Sequence, residues 1–254
     1  MTTVASTVGK FVWHEQVSSD PKQAQDFYAQ LFGWDAEVFK PGEVDYTMIS
    51  SGGQSHGGFG KAQEGAPPPH WLSHVRVENV DETVEKVKNA GGKLLAGPFE
   101  MGEVGRMAII ADPQGAFLGI YQPLQEGPVP EGVFVWDELG TTDADDAQRF
   151  YGDVFGWTAS DMGAEYGGYR IFSVGEIGIA GFMTLEDATV PPQWHPYVAL
   201  NPVTMPVECF RYLLLGTGWI NVPLILVSIG ATLFALVSGV LVFQRVEKNF
   251  VDVV

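Results

Sequence analysis

The sequence predicts an α+β chain of tandem βαβββ modules, the second truncated, followed by a single transmembrane helix. Three observations predict it. A stretch of 23 residues recurs at a constant offset of 123. Each copy reads as a strand, a capped helix and short alternating strands. The C-terminal part then carries a long uncharged apolar run. The expected organisation is a complete module over 10–124, a linker over 125–132, a truncated module over 133–200, an amphipathic segment over 201–223, the membrane helix over 224–243 and a short tail over 244–254.

Val12–Trp34 and Val135–Trp157 share 11 of 23 residues without a gap. The offset also relates Gly58-Phe59 to Gly181-Phe182, and Pro68, Pro69 and Trp71 to Pro191, Pro192 and Trp194. Such self-similarity marks a repeated structural unit. In each copy an Asp (Asp20, Asp143) precedes the helix, where its carboxylate accepts the orphan N–H groups of the first turn. Pro21 suits the first helical position because it has no N–H to lose. Ala24, Phe27, Tyr28 and Leu31 lie at helical spacing and are expected to form a buried stripe, and Gly33 ends the helix. Strands are expected near 37–39, 46–50 and 55–59, divided by Pro-Gly and Gly-Gly turns. The same order returns in weaker form: a strand over 71–77, a helix over 81–90 with Val84 and Val87 inward, and strands near 93–95, 106–111 and 117–122. Eight strands suffice to close a curved sheet around a cleft.

Adding 123 to Val77 reaches Leu200, and residues 78–123 have no counterpart at 201–246. The second module keeps one half and one strand. Its sheet is expected to present an unpaired edge and an uncovered apolar face; a second copy in a homodimer would complete it.

The 14 Lys and Arg face 31 Asp and Glu, a net charge of −17. A nucleic-acid partner is excluded, since phosphate neutralisation needs basic surface. Residues 201–254 carry three basic and three acidic side chains, so the head holds the whole negative charge. The single Cys209 cannot form an internal bridge, which fits a reducing compartment. Met1–Lys10 has no apolar core of the signal-peptide kind. Residues 224–243 are 20 positions without a charge, followed by Arg245 and Lys248, the pattern of a bilayer span beside a cytoplasmic face.

Asp20…Phe27-Tyr28…Phe32-Gly33-Trp34, Val77…Val80-Asp81 and Asp112-Pro113-Gln114-Gly115, with their second-copy counterparts, resemble the vicinal oxygen chelate superfamily of glyoxalases, bleomycin-resistance proteins and extradiol dioxygenases. The resemblance covers roughly residues 10–200. It implies a cleft in which a divalent ion (Fe, Mn, Ni or Zn) chelates two substrate oxygens. The positions it assigns to metal ligands fall here on Trp13, Leu72 and Gly119, none of which ligates, and on Trp136 and His195 in the second module. No cofactor is therefore expected, and His195 and His56 are the metal-ligand candidates that remain.

Strand parity places Glu15, His74, Arg76 and Tyr121 on the cleft side, with Glu138 and Tyr197 at the positions equivalent to Glu15 and His74. Glu15, His74 and Tyr121 are candidate acid–base residues. Trp13, Arg76, Trp136, Glu138 and Tyr197 are candidate ligand-binding residues. Glu15 and Glu138 equally suit structural hydrogen bonds between modules. His14-Glu15 does not complete a zinc-protease H-E-x-x-H motif, because Ser18 stands in place of the second His.

The tail, NPVTMPVECFRYLLLGTG through FQRVEKNFVDVV, resembles the extreme C-terminus of polysaccharide-exporting ABC-2 permeases. One helix cannot form a translocation path, so no transport is expected. Because the seam cuts a module mid-sheet, it points to a join of unrelated genes over a natural fusion at a linker. The expected location is the membrane if the tail is genuine and the cytoplasm for the head without it. The expected function is small-molecule binding or metal-poor lyase or oxygenase-type chemistry. The alternatives are drug sequestration in the bleomycin-resistance manner and an inactive permease fragment.

Overall fold

A computed structural model describes residues 7–40, 46–51, 53–62, 67–125, 133–187 and 189–198, with positions 226, 229, 230, 233, 234 and 237 of the C-terminal segment. The first module runs β1 (Phe11–Ser18), α1 (Pro21–Phe32), β2 (Asp35–Phe39), β3 (Tyr46–Ser51), β4 (Gln54–Lys61), β5 (His70–Arg76), α2 (Val80–Asn89), β6 (Lys93–Glu100), β7 (Gly105–Ala111) and β8 (Phe117–Pro123). Its eight strands form one sheet in the order β2-β3-β4-β1-β5-β8-β7-β6. β1 runs parallel to β4 and antiparallel to β5, and β5 runs parallel to β8. The second module supplies β9 (Phe134–Thr141), α3 (Ala144–Phe155), β10 (Thr158–Asp161), β11 (Arg170–Val174), β12 (Ile177–Thr184) and β13 (Gln193–Val198). Its order, β10-β11-β12-β9-β13, repeats the pairings of β2-β3-β4-β1-β5. The sheet stops where the repeat stops.

The three helices begin as the capping residues require. Asp20 Oδ1 accepts the Gln23 N–H at 3.0 Å, Asn79 Oδ1 accepts those of Asp81 and Glu82, and Asp143 Oδ1 accepts that of Asp146 at 2.9 Å. Gly156 closes α3 in the left-handed region at φ 72°, where a Cβ would be strained.

Packing then divides the helices. Val80, Val84 and Val87 of α2 pack with Val75, Ile110, Leu118 and Ile120 of the sheet, and the same core includes Phe150, Tyr151 and Val154 of α3. The Asp-Pro-Gln-Gly motif joins them. Asp112 Oδ1 accepts the N–H groups of Gln114, Gly115 and Ala116 at 3.0, 2.8 and 2.8 Å, which fixes the turn. Its Oδ2 accepts the Tyr151 hydroxyl at 3.1 Å, and Trp194 Nε1 donates to that hydroxyl at 2.9 Å. Burial raises the Asp112 carboxyl despite these donors.

At the seam, His14 of β1 meets Asp137 of β9, the residue related to it by the repeat, at 3.1 Å. Ser73 donates to the same carboxylate at 2.6 Å. Phe11 packs on Trp194 and Phe134 on Trp71, again a pair of repeat-related contacts.

Two expectations are corrected. The stripe of Ala24, Phe27, Tyr28 and Leu31 is not buried: no residue of α1 is, whereas its equivalents Ala147, Phe150, Tyr151 and Val154 all are. Residues 26–34 group apart from the rest of the described head, and within that group Tyr28 stacks on Phe32 and Trp34 at 5.9 and 5.6 Å. The surface that covers α3 comes from the second half of the first module. The expected transmembrane helix is not indicated either. Most of 224–243 lies outside the described residues, and among the described residues no helix is long and apolar enough to cross a membrane. An uncharged run supplies hydropathy, but a span also needs about 20 residues in one continuous helix. The expected segments 201–223 and 244–254 lie outside the described residues.

Candidate functional site

The register places the expected cleft residues of the first module on one face. Trp13 is paired with His74, Glu15 with Leu72, His74 with Gly119 and Arg76 with Tyr121. Their side chains, however, are held by separate partners. Arg76 donates to the Thr7 hydroxyl, and Tyr121 donates to the Val104 carbonyl at 2.8 Å. Burial raises the Tyr121 hydroxyl, against the opposing pull of Arg76. His74 lies across Gly119, where any Cβ would collide with its ring. Burial first, and then the nearby His14, lowers its pKa to about 4, so it is neutral at pH 7.

Glu15 bonds to Tyr46, a residue the sequence reading did not single out, and Trp13 Nε1 donates to the Tyr46 hydroxyl at 3.0 Å. Burial raises the Glu15 carboxyl, with the Tyr46 hydrogen bond opposing. The Tyr46 hydroxyl is raised well above its usual value by burial and then by Glu15. Gly58 leaves the space that this hydroxyl fills.

The second module rebuilds the same network at the same offset. Trp136 Nε1 donates to the Tyr169 hydroxyl at 3.0 Å, and that hydroxyl donates to Glu138 Oε2 at 2.9 Å. Gly181 stands where Gly58 stands, and a Cβ there would meet the Tyr169 hydroxyl. The repeat offset relates Tyr46 to Tyr169, so the signal was present in the sequence. Tyr197 occupies the position of His74 and adds a second donor to Glu138, at 3.0 Å. The glutamates thus bond tyrosines of their own module. Burial raises Tyr169 to about 12, with its Glu138 hydrogen bond adding to the rise; burial and Glu138 raise Tyr197 as well.

The flanks of the two networks differ. Leu72, His74 and Arg76 are buried beside Glu15, with His74 3% exposed. Beside Glu138, His195 is exposed and Tyr197 is 46% exposed. His56 is not on an exposed loop: it is buried on β4, with Nε2 donating to the Ser51 carbonyl at 3.3 Å, and burial lowers its pKa.

Residues 10–120 match the family profile described as the glyoxalase/bleomycin resistance protein/dioxygenase superfamily. CFP32 of Mycobacterium tuberculosis, whose name describes it provisionally as a glyoxylase, is 34% identical over 199 residues, covering 74% of this chain and 76% of that protein. The chain belongs to the glyoxalase/bleomycin resistance protein/dioxygenase superfamily. The anthracycline biosynthesis protein DnrV of Streptomyces peucetius is 29% identical over 213 residues, covering 76% of this chain and 78% of that protein. Among solved structures, the Mn(II)-bound glyoxalase of Novosphingobium aromaticivorans has a TM-score of 0.52 at 14% identity, over 76% of this chain and 64% of that one. At this identity the likeness shows the fold. None of these similarities supports a permease-like tail or a joined gene.

A metal of the superfamily kind does not fit the residues present. Trp13, Leu72 and Gly119 offer no donor, and the His74 ring fills the space beside Gly119. Among the described residues no three His, Cys, Asp or Glu side chains are grouped to hold an ion, and His56 and His195 are not brought into such a group.

Proposed function

We propose that this superfamily member binds a small planar hydroxylated organic ligand on the concave face of its second module, around Trp136, Glu138, Tyr169 and Tyr197. The observation that carries this reading is the duplicated Trp–Tyr–Glu network, flanked by a buried His74 in one copy and an exposed Tyr197 in the other. Tyr169, raised to about 12, stays protonated at neutral pH and remains a donor. Glu138 accepts from two phenols and offers lone pairs to a ligand hydroxyl that displaces Tyr197. Trp136 supplies an aromatic wall. The likeness to a protein named for anthracycline biosynthesis supports a polycyclic aromatic ligand.

The test is titration of tryptophan fluorescence with 1,8-dihydroxyanthraquinone. A charge-assisted hydrogen bond contributes about 1.5–3 kcal/mol, so Glu138→Gln is expected to weaken binding roughly 10- to 100-fold. Unchanged affinity in both Glu138→Gln and Trp136→Phe would sink the reading.

A second reading, proton transfer by Glu15 through Tyr46, is favoured by the raised Glu15 carboxyl, which sits nearer the pH of use. Substrate turnover lost in Glu15→Gln and retained in Glu138→Gln would favour it over sequestration.

A further inference from the structure

The seam between the modules forms an open groove of about 350 Å³ along β1 and β9, lined by His14 and Asp137 from the face opposite the Trp–Tyr–Glu networks and bordered by Trp136 of the second network. Its walls are built from repeat-related pairs: Phe11 with Phe134, and His14 with Asp137. A further pair is chemically unequal, as His14 and Asp137 are. The first module contributes His56 where the second contributes Ile179, and Lys10 adds a positive charge at the rim.

We propose that this seam groove is a second ligand site, for a single-ring aromatic carboxylate carrying a hydroxyl group. Size comes first. Small-molecule pockets run from about 300 to 1,000 Å³, so this one, at the small end, suits a single substituted ring.

Charge follows. The Asp137 carboxylate is already engaged by His14 Nε2 and the Ser73 hydroxyl, both buried, and has little left to offer a cationic ligand. Lys10 is the cation lining the groove, and it suits a ligand carboxylate. Aromatic walls are in place. The His14 ring stacks on Phe134 at 4.0 Å and 17°, so a planar ring continues an existing stack.

The hydroxyl requirement comes from His56. Its Nε2 faces a carbonyl and must carry the proton, which leaves Nδ1 of the neutral ring as an acceptor. Ile179, the residue at the equivalent position, can do no such thing.

The test uses the full chain and calorimetric titration with 3-hydroxybenzoate and, as the uncharged control, 3-hydroxybenzyl alcohol. The expected result is binding of the acid, at least about 10-fold weaker binding of the alcohol, and a similar loss in Lys10→Gln, as a charge-assisted contact implies. His56→Phe is expected to weaken 3-hydroxybenzoate and leave benzoate unchanged. Ile179→Trp fills the groove from the second module and should abolish binding. If that variant unfolds by circular dichroism, Lys10→Gln and the alcohol still decide.

Failure of 3-hydroxybenzoate to bind, or equal binding in Lys10→Gln, overturns the proposal. Loss of binding in Glu138→Gln also overturns it, by moving the ligand to the concave face. The two sites are thereby separable, since Glu138→Gln tests only the concave-face reading.

Discussion

In the first module the flank of the Trp–Tyr–Glu network is buried and no residue of α1 is; in the second, five residues of α3 are buried and the flank of the network is exposed. His74 is 3% exposed and its equivalent Tyr197 is 46% exposed, while Phe27 is 57% exposed and its equivalent Phe150 is 2% exposed. The residue types are nearly the same, so propensity does not explain the difference. The β6–β8 half of the first module flanks its own concave face and, through α2 and Asp112, covers α3 of the second. Among the described residues nothing repeats that half beside β13. In a repeat of this kind, burial is set by neighbours supplied in trans by the other copy.

The largest effect that sharpens this comparison comes from truncating the equivalent phenylalanines. Phe150→Ala is expected to cost about 3–5 kcal/mol, as for a fully buried aromatic. Phe27→Ala should cost well under ~1 kcal/mol, as for an exposed site. Urea unfolding of both variants checks it, and equal losses would break the comparison.

Next is the pH dependence of the packed concave face. His74 has its folded pKa lowered from 6.5 to about 4, so between these values the unfolded chain binds the proton and the folded chain does not. Stability from this group is therefore full above pH 6.5 and falls as the pH drops toward 4, by at most ~3 kcal/mol. Glu15, raised, acts in the opposite sense, losing stability as the pH rises through its folded pKa. His74→Leu should flatten the loss between pH 6.5 and 4 in denaturation measured across that range. An unchanged slope would mean that His74 is not buried neutral.

Asp112→Ala should cost about 1–3 kcal/mol, because it orphans the turn amides and the buried Tyr151 hydroxyl. The expected calorimetric signature is a lowered melting temperature with loss of α3 protection in hydrogen exchange.

The smallest effect concerns the caps. Asp20→Ala and Asp143→Ala should each cost about 1 kcal/mol. Capping is local and does not depend on what covers the helix, so thermal melts should show similar losses for the two. A much larger loss at Asp143 would show that the cap geometry itself depends on packing.

Local features were legible in the sequence and long-range ones were not. The strand order of the first module, the caps at Asp20 and Asp143, and the shared face of Glu15, His74, Arg76 and Tyr121 follow from period and parity, which the backbone imposes on any sequence. The stripe on α1 has the correct helical spacing, but spacing says which residues share a face and nothing about what covers it. The burial of His56 rests on a strand bulge and on the second module, which no local pattern reports. Tyr46 and Tyr169 were overlooked although the offset relates them, because they lie outside the stretch of highest identity. The apolar run over 224–243 is legible as hydropathy, and most of it lies outside the described residues.

The most direct test of this crossed burial is hydroxyl-radical footprinting of the intact chain, comparing peptides that carry Phe27 and Phe150. The two side chains have equal intrinsic reactivity and occupy equivalent positions, so their ratio reads exposure alone. The account predicts oxidation at Phe27 many-fold faster than at Phe150. Equal protection of the two would mean that α1 is covered like α3, and would contradict the crossed burial.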